Sequence, residues 1–373
     1  MSDHAYAPST GSPLPQRTLA VTVVGALLLT TVLVVGLSWA KWLPYAAKVD
    51  LLGATGEWDG ASLLDTAGGS PSLAAAWHFA VGYTAAVWKA LVVSLLVAAA
   101  IDAFVSRRWL VRLLSRGGRW RQAGTGAALS LPSMMCTCCT APVTVTLRRA
   151  GAPVGAVVGH WLGNPLLNPA VLVFLFLVAP WQWGATRLLV GLAVVLAAAV
   201  VTGEVSRRRT AQTASAPPAP ALPAPGPPVV EEDGPPPRLV DLPGRFLGSL
   251  WRISRVLVPE YALVVLLVGG FSGWLFRFTE LTGTAGLVAV LVATLVGTLL
   301  VIPTGGEIPV LLALSAVGAS AGLLGMLLIT LPALSLPSMV MVARALSVRV
   351  TLVAAAAVAG GGVAAGVVLG ALG

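Results

Sequence analysis

Apolar residues fall in runs of about twenty, the length that crosses a bilayer as a helix, parted by short arginine-bearing or proline-rich stretches. Seven such runs predict helices over about Thr18–Ala40, Trp77–Val105, Val154–Ala179, Ala185–Gly203, Val258–Phe276, Ala321–Ala345 and Val350–Leu372. Two further apolar segments are interrupted. Ala123–Leu147 is broken by Pro132 and Pro142, and Gly286–Val317 at Pro303-Thr-Gly-Gly-Glu-Ile-Pro309. The pattern predicts an all-α polytopic membrane protein: two membrane halves, each with a broken or re-entrant segment, and an extra N-terminal transmembrane helix. The expected division is a disordered tail at 1–16, a first helix and external loop at 17–76, a first half at 77–203, a linker at 204–249 and a second half at 250–373. Proline and alanine dominate the linker, with too little apolar bulk to fold.

Composition agrees with a membrane chain. It is 57% hydrophobic and 10% charged, with mean hydropathy +0.89. The net charge of +9 and pI near 10.3 do not call for nucleic acid. The arginines cluster between apolar runs, at 107–121, 207–209 and 245–255, the positive-inside pattern that sets orientation. The expected location is the inner membrane of a bacterium, with the lipid bilayer as the main partner. No removable signal peptide is evident, because the first run is longer than a signal core and is followed by Lys41-Trp42, an expected interfacial anchor.

A single crossing by Ala123–Leu147 would put Arg148, Arg149 and the Arg207 cluster outside. A segment that dips in and returns leaves every arginine cluster cytoplasmic. Re-entrant backbone is tolerated only where protein or water covers it, so a hairpin is predicted with a cysteine cluster near its tip. Lys89, in the middle of the second run, either snorkels or lines a pathway, and the pathway is preferred.

The stretch Leu131–Pro169 carries the candidate chemistry. All three cysteines, Cys136, Cys138 and Cys139, lie there behind Met134 and Met135. An odd, tightly spaced set argues against a disulfide framework and for thiol ligation; apolar filling is the bland alternative. His160, Asn164 and Asn168 are spaced by four and expected on one helix face, the asparagines lining a cavity or bonding between helices. In the second half, Thr304 and Glu307 sit in the other break. An intramembrane glutamate is a site candidate, as a proton carrier, a gate or a helix cap.

The halves also align. At an offset of 167, Pro142 matches Pro309, Gly151 matches Gly318, Gly155 matches Gly322 and Pro165 matches Pro332; one residue later Pro169 matches Pro337. An odd number of crossings per copy predicts inverted repeats with broken helices meeting near the midplane, a secondary-transporter plan.

At these residues the chain resembles the predicted permease family that includes ArsP, an efflux permease for trivalent organoarsenicals. The resemblance rests on Cys136-Thr137-Cys138 with Pro142, on Gly151-Ala152-Pro153, Asn164-Pro165 and Asn168-Pro169, and on Gly306-Glu307-Ile308-Pro309 with Leu331-Pro332 through Ser338. It covers roughly 80–205 and 255–372. Cys139 departs from it, standing where a small residue such as glycine is expected. The resemblance implies a permease, and its best-understood members imply export of thiophilic metalloids.

Trivalent arsenic is soft and binds thiolate sulfur, which makes Cys136 and Cys138 expected ligands, Cys139 a further one, and Glu307 the coupling or gating group. Alternatives are a soft-metal cation permease and a thiol–disulfide carrier. The carrier lacks a cysteine in the second half. No enzyme activity and no cofactor are expected. There is no GxxxxGK[ST] phosphate loop, so any ATP drive would need a separate energising subunit; a homo-oligomer stays open.

Overall fold

The computed structural model describes residues 16–58, 72–214, 238–280, 303–316 and 318–372, with side chains left aside at 16–19, 213–214 and 271–280. All regular elements among the described residues are helical. Six are long and apolar enough to span a membrane, or seven if one bent pair counts as a span.

The first span runs further than hydropathy predicts. Helix α1 (Gln16–Leu37) passes through a π-helical turn at Ser38–Trp42 into α2 (Leu43–Thr55). The expected helix end at Ala40 is therefore corrected, and so is a loop beginning at Lys41. Pro44 lies within this continuous helix and has no N–H to bond to the preceding turn, and the π turn absorbs the irregularity. Gly56, left-handed at φ 67°, ends the helix. The rest of the predicted loop, 59–71, lies outside the described residues.

Helix α3 (Leu73–Phe104) is capped by Ser72, whose hydroxyl accepts from the Ala75 N–H at 3.1 Å. Lys89 is exposed on its outer face, stacked over Trp39 and Trp88. That corrects the pathway reading: the lysine snorkels beside aromatic rings. Short α4 (Arg107–Ser115) buries Leu110 and Leu114 and leaves Arg108 and Arg112 exposed.

The broken segment forms the predicted hairpin. Helix α5 (Arg119–Ser130) leads through a 3-10 turn at Leu131–Ser133 to α6 (Thr137–Arg149). Each helix is too short to cross alone. Arg119 at the start of α5 and Arg148 at the end of α6 line one cleft of about 510 Å³, together with Arg207. Entry and exit of the hairpin thus lie on one side, and the cysteines lie at its far end.

The remaining helices repeat one register. The first set is α7 (Val154–Leu166), α8 (Pro169–Val178) and α9 (Trp181–Ala214). Long α10 (Leu242–Glu280) packs along α3, and is followed by α11 (Glu307–Ala316). The second set is α12 (Ala321–Ala333), α13 (Leu336–Leu346) and α14 (Val348–Leu372). Val154 and Ala321, Leu166 and Ala333, Pro169 and Leu336, and Trp181 and Val348 all differ by 167. The turns before α7 and α12 repeat atom for atom. Gly151 (φ 94°) donates to Arg148 O at 3.0 Å and Ala152 to Leu147 O at 3.1 Å; Gly318 (φ 84°) donates to Ser315 O and Ala319 to Leu314 O, both at 3.0 Å. This is the paired helix-ending turn that glycine permits.

Two predicted helices are broken. The run Val154–Ala179 divides at Leu167-Asn168 into α7 and α8, which takes Asn168 off the helix carrying His160 and Asn164. The run at 321–345 bends by 55° between α12 and α13. Helix α9 opens at Trp181, ahead of the predicted start at Ala185. Helix α9 runs through Arg207–Arg209 into the expected linker, with Glu204 paired to Arg207 and, at 2.9 Å, to Arg208. Residues 215–237 lie outside the described residues.

Helices approach closely where side chains are absent, as small residues permit in membranes. A Cβ at Gly366 on α14 would stand 2.7 Å from Gly322 O on α12, and one at Gly159 on α7 2.6 Å from Ala123 O on α5. Gly366→Ala is expected to lower the thermal unfolding midpoint in detergent, by an overpacking cost of about 1–3 kcal/mol. Gly360→Ala on the same helix, where nothing lies within 4 Å, should leave it unmoved. Equal midpoints for the two variants would refute the close α12–α14 contact.

Candidate functional site

The cysteine triangle follows from where each residue falls at a helix start. Met134 takes a left-handed conformation (φ 48°), turning the chain back on itself. Cys136 is the N-cap of α6, extended at φ −74° and ψ 168°, and Cys138 and Cys139 occupy its first turn. Cap and first-turn side chains curl around one helix end, so a C-x-C-C spacing gathers all three sulfurs there. Cys136 Sγ lies 3.1 Å from both Cys138 Sγ and Cys139 Sγ, which are 3.9 Å apart. All three are buried and unbonded. Tyr83 Oη of α3 touches Cys138 Sγ at 3.0 Å.

A soft centre held at about 2.3 Å from three sulfurs separates them by about 3.3–4.0 Å, depending on how far it rises from their plane. The observed triangle reaches that range with shifts of a few tenths of an ångström. It is also the one group of three or more metal-ligating side chains gathered among the described residues.

Asn164 fixes the turn that presents the sulfurs. Its Oδ1 accepts from Ser133 Oγ and, at 3.4 Å, from the Met135 N–H. Its Nδ2 donates to Thr140 Oγ1 and to His160 O, both at 2.9 Å. His160 Nε2 meets the same Thr140 hydroxyl at 3.3 Å. Asn168 instead caps α8, its Oδ1 accepting from the N–H groups of Ala170 and Val171 at 3.1 and 3.3 Å. Asn168 Nδ2 and His160 Nδ1 are buried with no hydrogen-bond partner among the described residues.

Glu307 stands in the first turn of α11, as a cap reading expects, and is 1% exposed. Its partner is Arg187 of α9, which the sequence reading passed over. Arg187 is fully buried, with Nη2 2.9 Å from Glu307 Oε1, a contact whose angle falls short of a hydrogen bond. Nη2 also donates to Pro165 O at 2.7 Å, and Nη1 to Leu328 O at 3.4 Å. These two carbonyls are the ones a helix leaves open, because the residues four positions on are Pro169 and Pro332, which have no N–H. One guanidinium therefore satisfies α7, α12 and α11 together. Its signal in the sequence was a charge within the apolar run after Trp183.

The second missed residue is Lys41. It is 8% exposed, not an interfacial anchor. Its Nζ donates to Tyr45 Oη at 2.9 Å and to Thr304 Oγ1 at 3.4 Å, with Cys136 and Cys139 within electrostatic reach. Trp42 beside it donates from Nε1 to Pro132 O at 2.8 Å, docking the π turn on the cysteine loop. The first broken segment also meets the bend between α12 and α13, through Thr137 Oγ1 and Ser335 Oγ, 3.1 Å apart. The structure thus brings Cys136, Cys138, Cys139, Asn164 and Thr304 around one region, with Glu307 held from the side by Arg187.

Residues 72–371 match the predicted permease family ArsP_1. The chain is also 35% identical, over 312 residues, to the UPF0718 protein YraQ of Escherichia coli (strain K12), an overlap of 82% of this chain and 83% of the relative. No solved structure matches it. With its multi-pass helical fold and a match over most of its length, the chain belongs to that predicted permease family.

Proposed function

We propose that the protein is a secondary transporter of a bacterial inner membrane that exports a thiophilic solute, with trivalent organoarsenicals the sharpest case. The observation that carries this reading is the triangle of three buried, free cysteine sulfurs at the tip of a helical hairpin. Sulfur in a membrane interior offers a soft solute ligands that water does not. A methylarsenous acid would lose two hydroxyls as water, each with one thiol proton, as two As–S bonds form. The third sulfur then permits hand-over: it bonds to arsenic as one of the first two leaves, and the proton passes from incoming to departing sulfur. No electron transfer is needed.

The repeated register of α7–α9 and α12–α14 supports two inverted copies rocking about this point, as in transporters with broken helices. Glu307 then acts as a gate with Arg187, since their contact joins α9 to α11. Asn164 shapes the site, and Asn168, with its unpartnered Nδ2, lines the path with Thr304. A soft-metal cation permease uses the same sulfurs and ranks second, because Glu307 is already committed to a cation.

Expression in a metalloid-sensitive bacterial host should confer resistance to trivalent methylarsenical, and Cys136→Ser or Cys138→Ser should abolish it at equal protein level. Resistance that survives both substitutions sinks the sulfur site; copper tolerance without arsenical tolerance moves the assignment to the second reading. Arg187→Leu strands a buried carboxylate and should cost about 3–5 kcal/mol, read as a lower unfolding midpoint. Glu307→Gln should fold and slow export from everted vesicles. Wild-type export by Glu307→Gln removes the gate from the proposal.

A further inference from the structure

The sulfur cluster has a charged neighbour that the family match does not reach: Lys41 lies on the π turn, outside residues 72–371. An ammonium is costly within a bilayer unless a carboxylate or other anion answers it. Lys41 has no carboxylate partner among the described residues; Tyr45 and Thr304 answer two of its three donors with neutral hydroxyls. Glu307, the acid of the neighbouring break, is taken by Arg187. The N-terminus of α6, the positive end of its helix dipole, opens at Cys136 into the same region. On one side, then, the site is soft and sulfur-lined. On the other it is cationic and rich in hydroxyl donors, with Tyr45, Thr304 and the third ammonium proton.

We infer that the solute taken by this site is bifunctional: a thiophilic atom that bonds Cys136, Cys138 and Cys139, and a carboxylate or oxyanion that pairs with Lys41 and Thr304. The inference rests on the sulfur site being a solute site, as proposed above. It narrows the substrate class from thiophilic compounds in general to thiophilic anions. Capture stays balanced, because the As–S bonds form with loss of water while the anionic group keeps its charge and exchanges solvent for the ammonium.

The test compares probes that share one soft head. Purified full-length protein in lipid nanodiscs is titrated with methyl and carboxymethyl trivalent arsenicals, and separately with phenyl and 4-carboxyphenyl arsine oxides, two lengths that span different reaches from sulfur to ammonium. Binding is read as protection of the cysteines from a maleimide. At least one carboxylated probe is expected to bind about tenfold or more tightly than its neutral partner, the scale of a charge-assisted hydrogen bond. Lys41→Gln should erase that ratio, each probe pair being compared within the same variant, and Lys41→Arg should restore it. Equal affinities within both pairs on wild-type protein overturn the inference and leave the sulfur site standing. A ratio that persists in Lys41→Gln also overturns it. Failure of every probe to protect the cysteines overturns the transport site itself, and this inference with it. The wild-type comparison needs no variant to fold.

Discussion

A guanidinium with no exposed surface ties together four helices of this protein, α7, α9, α11 and α12. Placing Arg187 in a bilayer interior is expensive, and the position is tenable because each of its contacts answers a group that would otherwise be stranded. Pro169 and Pro332 leave the carbonyls of Pro165 and Leu328 without helical donors, and Glu307 would be a lone buried carboxylate. The arginine meets all three. Breaks in α7–α8 and α12–α13, which look like defects in each helix alone, become the acceptors that fix one helix bundle to the other.

A separate break, between α5 and α6, makes the sulfur cluster. A continuous helix through residues 119–149 would space Cys136, Cys138 and Cys139 around its circumference. The left-handed turn at Met134 instead restarts the helix at Cys136 and gathers the three sulfurs at one end. Asn164 spends its carbonyl oxygen on holding that turn, through the Ser133 hydroxyl and the Met135 N–H, and its amide nitrogen on Thr140 of α6 and on its own helix at His160. A polar residue on an apolar helix is here part of the scaffold that aims the thiols. Asn168 has a different duty at the start of α8 and keeps its amide NH2 unspent among the described residues.

The N-terminal span completes the region from outside the family match. Its π turn inserts Lys41 beside Thr304 and lays Trp42 on the carbonyl of Pro132, so an element outside the matched residues reaches both broken segments.

Hydropathy and the positions of arginine were enough to set the class of this protein and the return of the hairpin, and the spacing of the cysteines their clustering; the ends and breaks of several spans were not legible. The legible features depend on local periodicity and on the cost of exposing polar backbone to lipid, which any segment carries in its own residues. The register of 167 was legible for the same reason, since glycine and proline mark turns where they stand. The partners of charged groups were not legible. Nothing near Glu307 in the chain points to Arg187, 120 residues earlier. Lys41 beside Trp42 has the composition of an interfacial anchor, and only the continuation of its helix through a π turn carries it inward. Which buried charge is answered, and by what, depends on the packing of helices distant in sequence, and so it was decided by the tertiary structure alone.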